Sequence, residues 1–270
     1  MKKTILLACA VLGVAPLQPG LAVAQNVFRS TQSANLPTAA MLNAGDWLFE
    51  ISHRFDTPIS RGADALWGVD GPVVLRLGLT YAANDRLMLG VLRTNGEDNV
   101  ELNAKASVLQ GGSDAMPFEV AAMGGVAWNT EPFETEDATD NEMQAYAQLI
   151  INALLGDRVA VGAVPTLLYN SRIRDLDKKT AFVLGLHAQV YTSGALSFLG
   201  EWIISESRGN DLTNDSGTFG IELRTRGHFF KIIVTNQARM NPTQFLGGTN
   251  KRFETDEWRF GFNVTRLLPF

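Results

Sequence analysis

The feature that most constrains this chain is a strict alternation of apolar and polar side chains, repeated in segments of roughly ten residues from Asp46 onward. The clearest case is 99–109. There Val100, Leu102, Ala104, Ala106 and Val108 fall on one face, and Glu101, Asn103, Lys105 and Ser107 on the other. Successive side chains leave opposite faces of a strand, so this period is the mark of a β-strand with unlike surroundings on its two sides. About twelve such segments follow one another, near 46–55, 71–81, 86–94, 99–109, 117–129, 143–154, 158–169, 180–191, 194–206, 216–226, 228–238 and 257–268. No sustained helical period interrupts them, which excludes an α/β fold.

The connections are sorted by length. Those at 56–70, 130–142, 170–179, 207–215 and 239–256 are long and polar, with 95–98 the short member of that set. The intervening ones are tight at 82–85, Gly156-Asp157, Thr192-Ser193 and the bend near Gly227, and somewhat longer at 110–116. This alternation is that of a closed, antiparallel, up-and-down transmembrane β-barrel with short periplasmic turns and long extracellular loops. A soluble sandwich has no reason to sort its loops this way. A lipocalin-like barrel has too few strands, and a TonB-type transporter needs a plug domain and a far longer chain.

In hydrocarbon every backbone N–H and C=O needs a partner inside the protein, a demand that a closed barrel meets without leaving a free edge. The alternation assigns Trp47, Phe49, Ile51, Val73, Leu75, Leu77, Leu79, Phe182, Leu184, Leu186, Phe219, Ile221, Leu223, Trp258, Phe260, Phe262 and Val264 to the lipid face. It assigns Glu50, Arg54, Arg76, Glu101, Lys105, Glu119, His187, Glu201, Glu222, Arg224, Lys231 and Arg259 to the lumen. A slip of one residue in 99–109 would push Glu101 and Lys105 into lipid at about 2–4 kcal/mol for a basic group near the midplane. Register is least specified in 143–154, where Gln144, Gln148 and Asn152 are the only guide. Aromatics gather at strand ends, with Trp47, Tyr81, Phe118 and Tyr191 expected at the inner interface. Phe55, Trp128, Phe182, Trp202 and Trp258 are expected at the outer one.

Residues 1–24 read as a cleaved signal peptide: Lys2 and Lys3, a short apolar run over 4–14, then Ala22-Val23-Ala24 before Gln25. A lipoprotein site at Cys9 would leave too short an apolar core. Cys9 is the single cysteine and departs with the signal, so the mature chain has neither disulfide nor thiolate chemistry. The segment 25–45 is then a periplasmic lead-in, either plain or carrying a short helix that Thr38 caps and Gly45 stops, packed at or into the barrel mouth. Residues 46–270 make the barrel. A net charge of −5 and the lack of any basic cluster remove the electrostatic basis for nucleic-acid binding. The expected surroundings are outer-membrane lipid, with no cofactor and no metal.

The last strand ends at Phe270, with Leu268, Val264 and Phe262 at the apolar spacing of the signal read by the barrel assembly machinery. Arg266 and Pro269 depart from that spacing.

Several short motifs resemble the domain-of-unknown-function 5777 family of β-barrel proteins. They are Phe28-Arg29-Ser30-Thr31, His53-Arg54-Phe55, Asp85-Arg86-Leu87-Met88-Leu89-Gly90 and the closing Arg259-Phe260-Gly261-Phe262-Asn263-Val264-Thr265-Arg266. The resemblance covers the whole mature chain. It implies an outer-membrane barrel and carries no catalytic residue with it.

Mixed lumen charges fit two arrangements: a narrow polar pore whose selectivity they set, or a lumen that they fill by pairing across it. The loop 237–256, with Phe245, Leu246, Gly247 and Gly248, either folds inward as a constriction or stays outside. The acidic loop 131–142 matches no calcium-binding spacing and reads as a solvated external loop. An outer-membrane lipid hydrolase needs a serine and a histidine on one lipid-facing side. Ser52 adjoins His53 and so points the other way, while His187 and His228 have no serine two positions off. The leading expectation is a non-enzymatic narrow channel for small solutes or a structural barrel. The alternatives are an interaction module presenting its loops or periplasmic mouth to envelope partners and, below that, a lipid hydrolase.

Overall fold

The computed structural model describes residues 27–130, 143–171, 180–192, 194–206 and 214–268. The signal 1–24, the acidic loop 131–142 and Phe270 lie outside the described residues. The twelve strands are β1 (Trp47–Phe55), β2 (Val73–Asn84), β3 (Leu87–Thr94), β4 (Asn99–Ser113), β5 (Met116–Asn129), β6 (Met143–Leu155), β7 (Val159–Tyr169), β8 (Thr180–Tyr191), β9 (Leu196–Ser205), β10 (Ser216–Arg224), β11 (His228–Thr235) and β12 (Arg259–Leu268). Each pairs antiparallel with its neighbours in sequence, and β1 closes on β12 from Trp47↔Leu268 to Arg54↔Gly261. Closure leaves no open sheet edge, as an apolar solvent requires.

The alternation survives intact in the burial pattern. On β8 Phe182, Leu186 and Val190 face outward, while Val183, His187 and Gln189 are buried. On β4 Leu102 is exposed outside, and Glu101 and Lys105 are buried within. β4 runs beyond the expected 109 to Ser113 because a bulge between Ser107 and Leu109 absorbs Val108 and lets the ladder to β5 continue. The connection expected at 110–116 is therefore a two-residue turn, 114–115. Short turns at 85–86, 114–115, 156–158, 192–195 and 225–227 mark one end of the barrel. The other connections, all but 95–98 longer, mark the opposite end, and the loop 56–72 carries the 3₁₀ stretch Ile59–Gly68.

Tyr191 departs from its expected place. It shares the inward side of β8 with His187 and Gln189 and is buried, so it belongs to the lumen and not to the interfacial belt. At the long-loop end Trp202 and Phe253 meet edge to face at 5.0 Å, and Phe219 and Trp258 do so at 5.2 Å.

Candidate functional site

Among the described residues, two stretches of chain outside the sheet occupy the interior. The first is the lead-in. Residues 27–46 contain no helix. They fold back on themselves instead, with Ser33 N–H donating to Leu36 C=O at 2.8 Å and Thr38 N–H to Thr31 C=O at 3.1 Å. Thr38, the expected cap, donates its hydroxyl across this hairpin to Ser30 C=O at 2.5 Å. Gly45 takes a positive φ of 87° in a turn where Asp46 N–H reaches Asn43 C=O, leading the chain out of the lumen into β1. Val27 and Phe28 pack with Leu154, Ala160 and Tyr191, which flank the short turns 156–158 and 192–195. The hairpin therefore enters from the short-turn end, and its tip at 34–36 lies deep inside.

The second stretch is 236–249, which folds inward from the long-loop end around the one-turn helix α1 (Pro242–Phe245). Met240, Phe245 and Leu246 are fully buried. Leu36 and Ala39 of the hairpin join Phe245 and Leu246 in one apolar cluster with Ala121, Tyr146, Ile150, Val164, Leu168, Val183 and Ile203 of the wall. The two plugs meet there.

The lumen-facing charges hold these plugs. Glu201 accepts the backbone N–H groups of Ala34 (2.7 Å), Asn35 (2.8 Å) and Leu36 (2.9 Å), so one carboxylate satisfies the whole tip. Lys105 Nζ donates to the carbonyls of Thr38 (2.9 Å) and Ala40 (2.7 Å) on the returning arm. Lys231 Nζ donates to Gln32 C=O at 2.7 Å and pairs with Glu222 at 3.4 Å. Arg54 donates to the side-chain oxygens of Asn35 (2.9 Å) and Asn263 (2.7 Å). Asn263 in turn donates to Ala34 C=O at 2.6 Å, and Asn152 accepts Ala39 N–H at 2.6 Å. His187 stacks its ring on Phe28 at 4.7 Å and contacts Asn152 Nδ2 at 3.1 Å.

Glu101 serves the other plug. It accepts the Tyr146 hydroxyl at 2.8 Å and Thr243 N–H at 3.4 Å, while Asn241 Nδ2 donates to Asn99 Oδ1 at 2.6 Å. Arg76 spans both plugs: it pairs with Glu50, donates to Met240 C=O and reaches Gln32 Oε1 at 3.4 Å. Glu119 is buried on β5. Arg259 sits at the long-loop end, 3.7 Å from Asp56. Arg224 is exposed at the short-turn end of β10.

Both arrangements expected for the lumen charges treated them as meeting solute or each other. Five of them, Arg76, Glu101, Lys105, Glu201 and Lys231, bind main-chain groups of the protein's own plugs, while Glu50 with Arg76 and Glu222 with Lys231 do pair with each other. Sequence reasoning missed Asn35, Leu36, Asn263 and Tyr146, and it missed the apolar patch that β5 to β9 turn inward. The available signal was in β6, β7 and β9, where Leu149 and Ile150, Leu167 and Leu168, and Ile203 and Ile204 make both faces apolar. A strand with two apolar faces is buried on both.

A cavity of about 70 Å³ lies between the plugs, bordered by Gln32, Glu50, Arg76, Thr80, Lys105 and Pro242. The described serines and histidines do not form a nucleophile–base pair. Ser52 is fully buried inside and donates its hydroxyl to Glu50, whereas His53 lies on the outer side against Phe262 at 4.5 Å.

The family model of a membrane-bound β-barrel domain, DUF5777, matches residues 28–268. No curated protein matches the sequence. Among solved structures the KdgM porin is similar with a TM-score of 0.50 at 9% identity, over 83% of this chain and 99% of that one. The NanC porin gives 0.49 at 7% identity, over 83% and 100%. Outer membrane phospholipase A from Escherichia coli gives 0.39 at 11% identity, over 84% and 90%. At such identities the likeness is one of fold.

Proposed function

The chain belongs to the DUF5777 family of membrane-bound β-barrel domains, and from that premise we propose that it is a non-enzymatic outer-membrane channel for small polar solutes, closed at rest by its own N-terminal hairpin. The carrying observation is how the hairpin is held. It occupies the lumen from the short-turn end as far as the 236–249 plug, yet it adds no strand to the barrel: its one bridge, Gln32↔Pro37, is internal, and side chains of the wall supply its anchors. A segment held this way leaves without breaking a barrel ladder. Its departure toward the short-turn, periplasmic end uncovers Arg54, Lys105, Lys231, Glu201 and Glu222, a mixed polar surface suited to hydrated solutes.

Single-channel recording of the purified full-length protein in planar bilayers tests this reading. The expectation is long closures broken by discrete, reproducible steps. Silence from a barrel that shows heat-modifiable migration on a gel overturns it. That outcome would favour the second reading, an interaction module. The observation behind the second reading is the loop 56–72, which holds Leu66 and Trp67 exposed on left-handed backbone at φ 46° and 52°. Such backbone costs about 1–3 kcal/mol per residue where a side chain is present.

A further inference from the structure

Arg266 breaks the apolar spacing of the closing strand, and the fold shows where it goes. Phe260, Phe262, Val264 and Arg266 share the outer, lipid-directed side of β12, and Arg266 is the exposed one, at the short-turn end. Its register partners are His228 on β11 and Phe49 on β1. The His228 ring stacks on Phe230 at 5.5 Å, on the same outer side of β11. The neighbouring turn 225–227 brings the exposed Arg226 alongside, and Leu267 N–H ties β12 to it through Gly227 C=O at 2.9 Å. His228 and Arg266 are thus register partners on the outer side, and Arg226, next to Gly227, stands within two register positions of Arg266 at the short-turn rim.

The charge around that spot is one-sided. Residues 223–230 and 264–268 hold no acid, in a chain of net charge −5. Asp85, Asp114 and Asp157 stand in other short turns of the same rim. Asp46, at the foot of β1, accepts Asn43 Nδ2 at 3.1 Å. A guanidinium directed at lipid is costly near the midplane but nearly neutral at the headgroup level, where a phosphodiester gives it a bidentate partner. Cations without an interspersed acid favour a headgroup of net negative charge over a zwitterionic one, whose ammonium they repel.

We propose that Arg266, Arg226 and His228 form a binding site for the headgroup of an anionic phospholipid in the leaflet at the short-turn end. The phosphodiester lies between the two guanidinium groups, and the first acyl segments lie over Phe49, Phe230 and Val264. The site is independent of whether the lumen conducts.

Native mass spectrometry of the full-length protein released from nanodiscs tests it, with phosphatidylglycerol and phosphatidylcholine as the probes. The wild type should retain phosphatidylglycerol preferentially. Arg266→Gln and Arg226→Gln should each lower that preference about fivefold, and the double variant should abolish it. Arg158→Gln, in the turn 156–158, should leave it unchanged. Equal retention of the two lipids by the wild type overturns the proposal. So does a double variant that keeps its preference, or an Arg158→Gln variant that loses as much, which would make the effect one of bulk charge. Heat-modifiable migration in phosphatidylcholine alone checks that each variant is folded.

Discussion

Asn35 donates its backbone N–H to both carboxylate oxygens of Glu201, at 2.8 and 3.0 Å, and adds its side-chain amide at 3.1 Å. The two residues lie 166 positions apart, and this contact joins the tip of the N-terminal hairpin to the middle of β9. Nothing in the ladder between β9 and its neighbours depends on it, because barrel pairing uses backbone groups while Glu201 contributes only its side chain. Plug stability and barrel stability are therefore separable.

Replacing Glu201 with alanine tests that separation. The N–H groups of Ala34, Asn35 and Leu36 would lose their shared acceptor, and each buried donor left unsatisfied costs about 1–3 kcal/mol. Some of that is recovered by water entering the vacated space, so a net loosening of about 2 kcal/mol, roughly thirtyfold in the docked-to-free ratio, is expected. In planar bilayers the open fraction should rise accordingly, while the temperature of heat-modifiable unfolding stays within a few degrees of wild type. An unchanged open fraction would remove Glu201 from the gate.

Gly162→Ala attacks the hairpin from its other side. A Cβ at Gly162 would collide with the His187 ring and the Asn152 amide. These two hold Phe28 by stacking and Ala39 by a hydrogen bond. Displacing them should weaken the foot of the hairpin by about 1–3 kcal/mol, the usual range for overpacking. Faster proteolysis of the lead-in in the folded barrel would show it, and wild-type resistance would argue against it.

On the outer side, Ile232 lies within β11, pairs with Ile221 and Phe262, and is 56% exposed. Ile232→Lys places an ammonium against hydrocarbon, and about 2–4 kcal/mol of lost stability is expected near the midplane. Equilibrium unfolding from phospholipid vesicles measures it. A loss of less than about 1 kcal/mol would put Ile232 near a headgroup region or in water.

The strands were legible because lipid outside and protein or water inside impose a two-residue period that no soluble helix reproduces. Residues such as Glu101, Lys105 and Glu201 could be placed inside from their parity alone. Their partners could not. Lys105 and Glu201 bind main-chain groups of the lead-in, and main-chain groups look alike in every sequence. The hairpin itself has no period, since Leu36 is the one large apolar side chain at its tip and many of its main-chain groups are bonded by distant wall residues. The inward course of 236–249 was an open alternative for a related reason. Phe245 and Leu246 show an apolar tip, but what accepts them, Leu36 and the inner faces of β6 to β9, comes from elsewhere in the chain. The long β4 was misjudged because its bulge at 107–109 breaks the alternation locally without ending the strand.

Leu36 and Gly185 permit a direct test of whether the hairpin must leave for the barrel to conduct. A Cβ built on Gly185 lies 3.3 Å from Leu36 Cγ, the position a cysteine there gives its Sγ, so the two sites are within disulfide reach. Cys9 is the single native cysteine and falls in the expected signal, so Leu36→Cys with Gly185→Cys would form the bond without competing thiols in the mature chain. Oxidised, this variant should be silent in planar bilayers, and a reductant added on the periplasmic side should restore steps of the wild-type size. The single variant Leu36→Cys should conduct under both conditions and more often than wild type, because truncating that side chain removes a buried leucine worth about 2–5 kcal/mol from the cluster with Phe245 and Leu246. If the oxidised double variant conducts like the reduced one, the solute path runs past a docked hairpin, and the lead-in is a fixed part of the lumen wall.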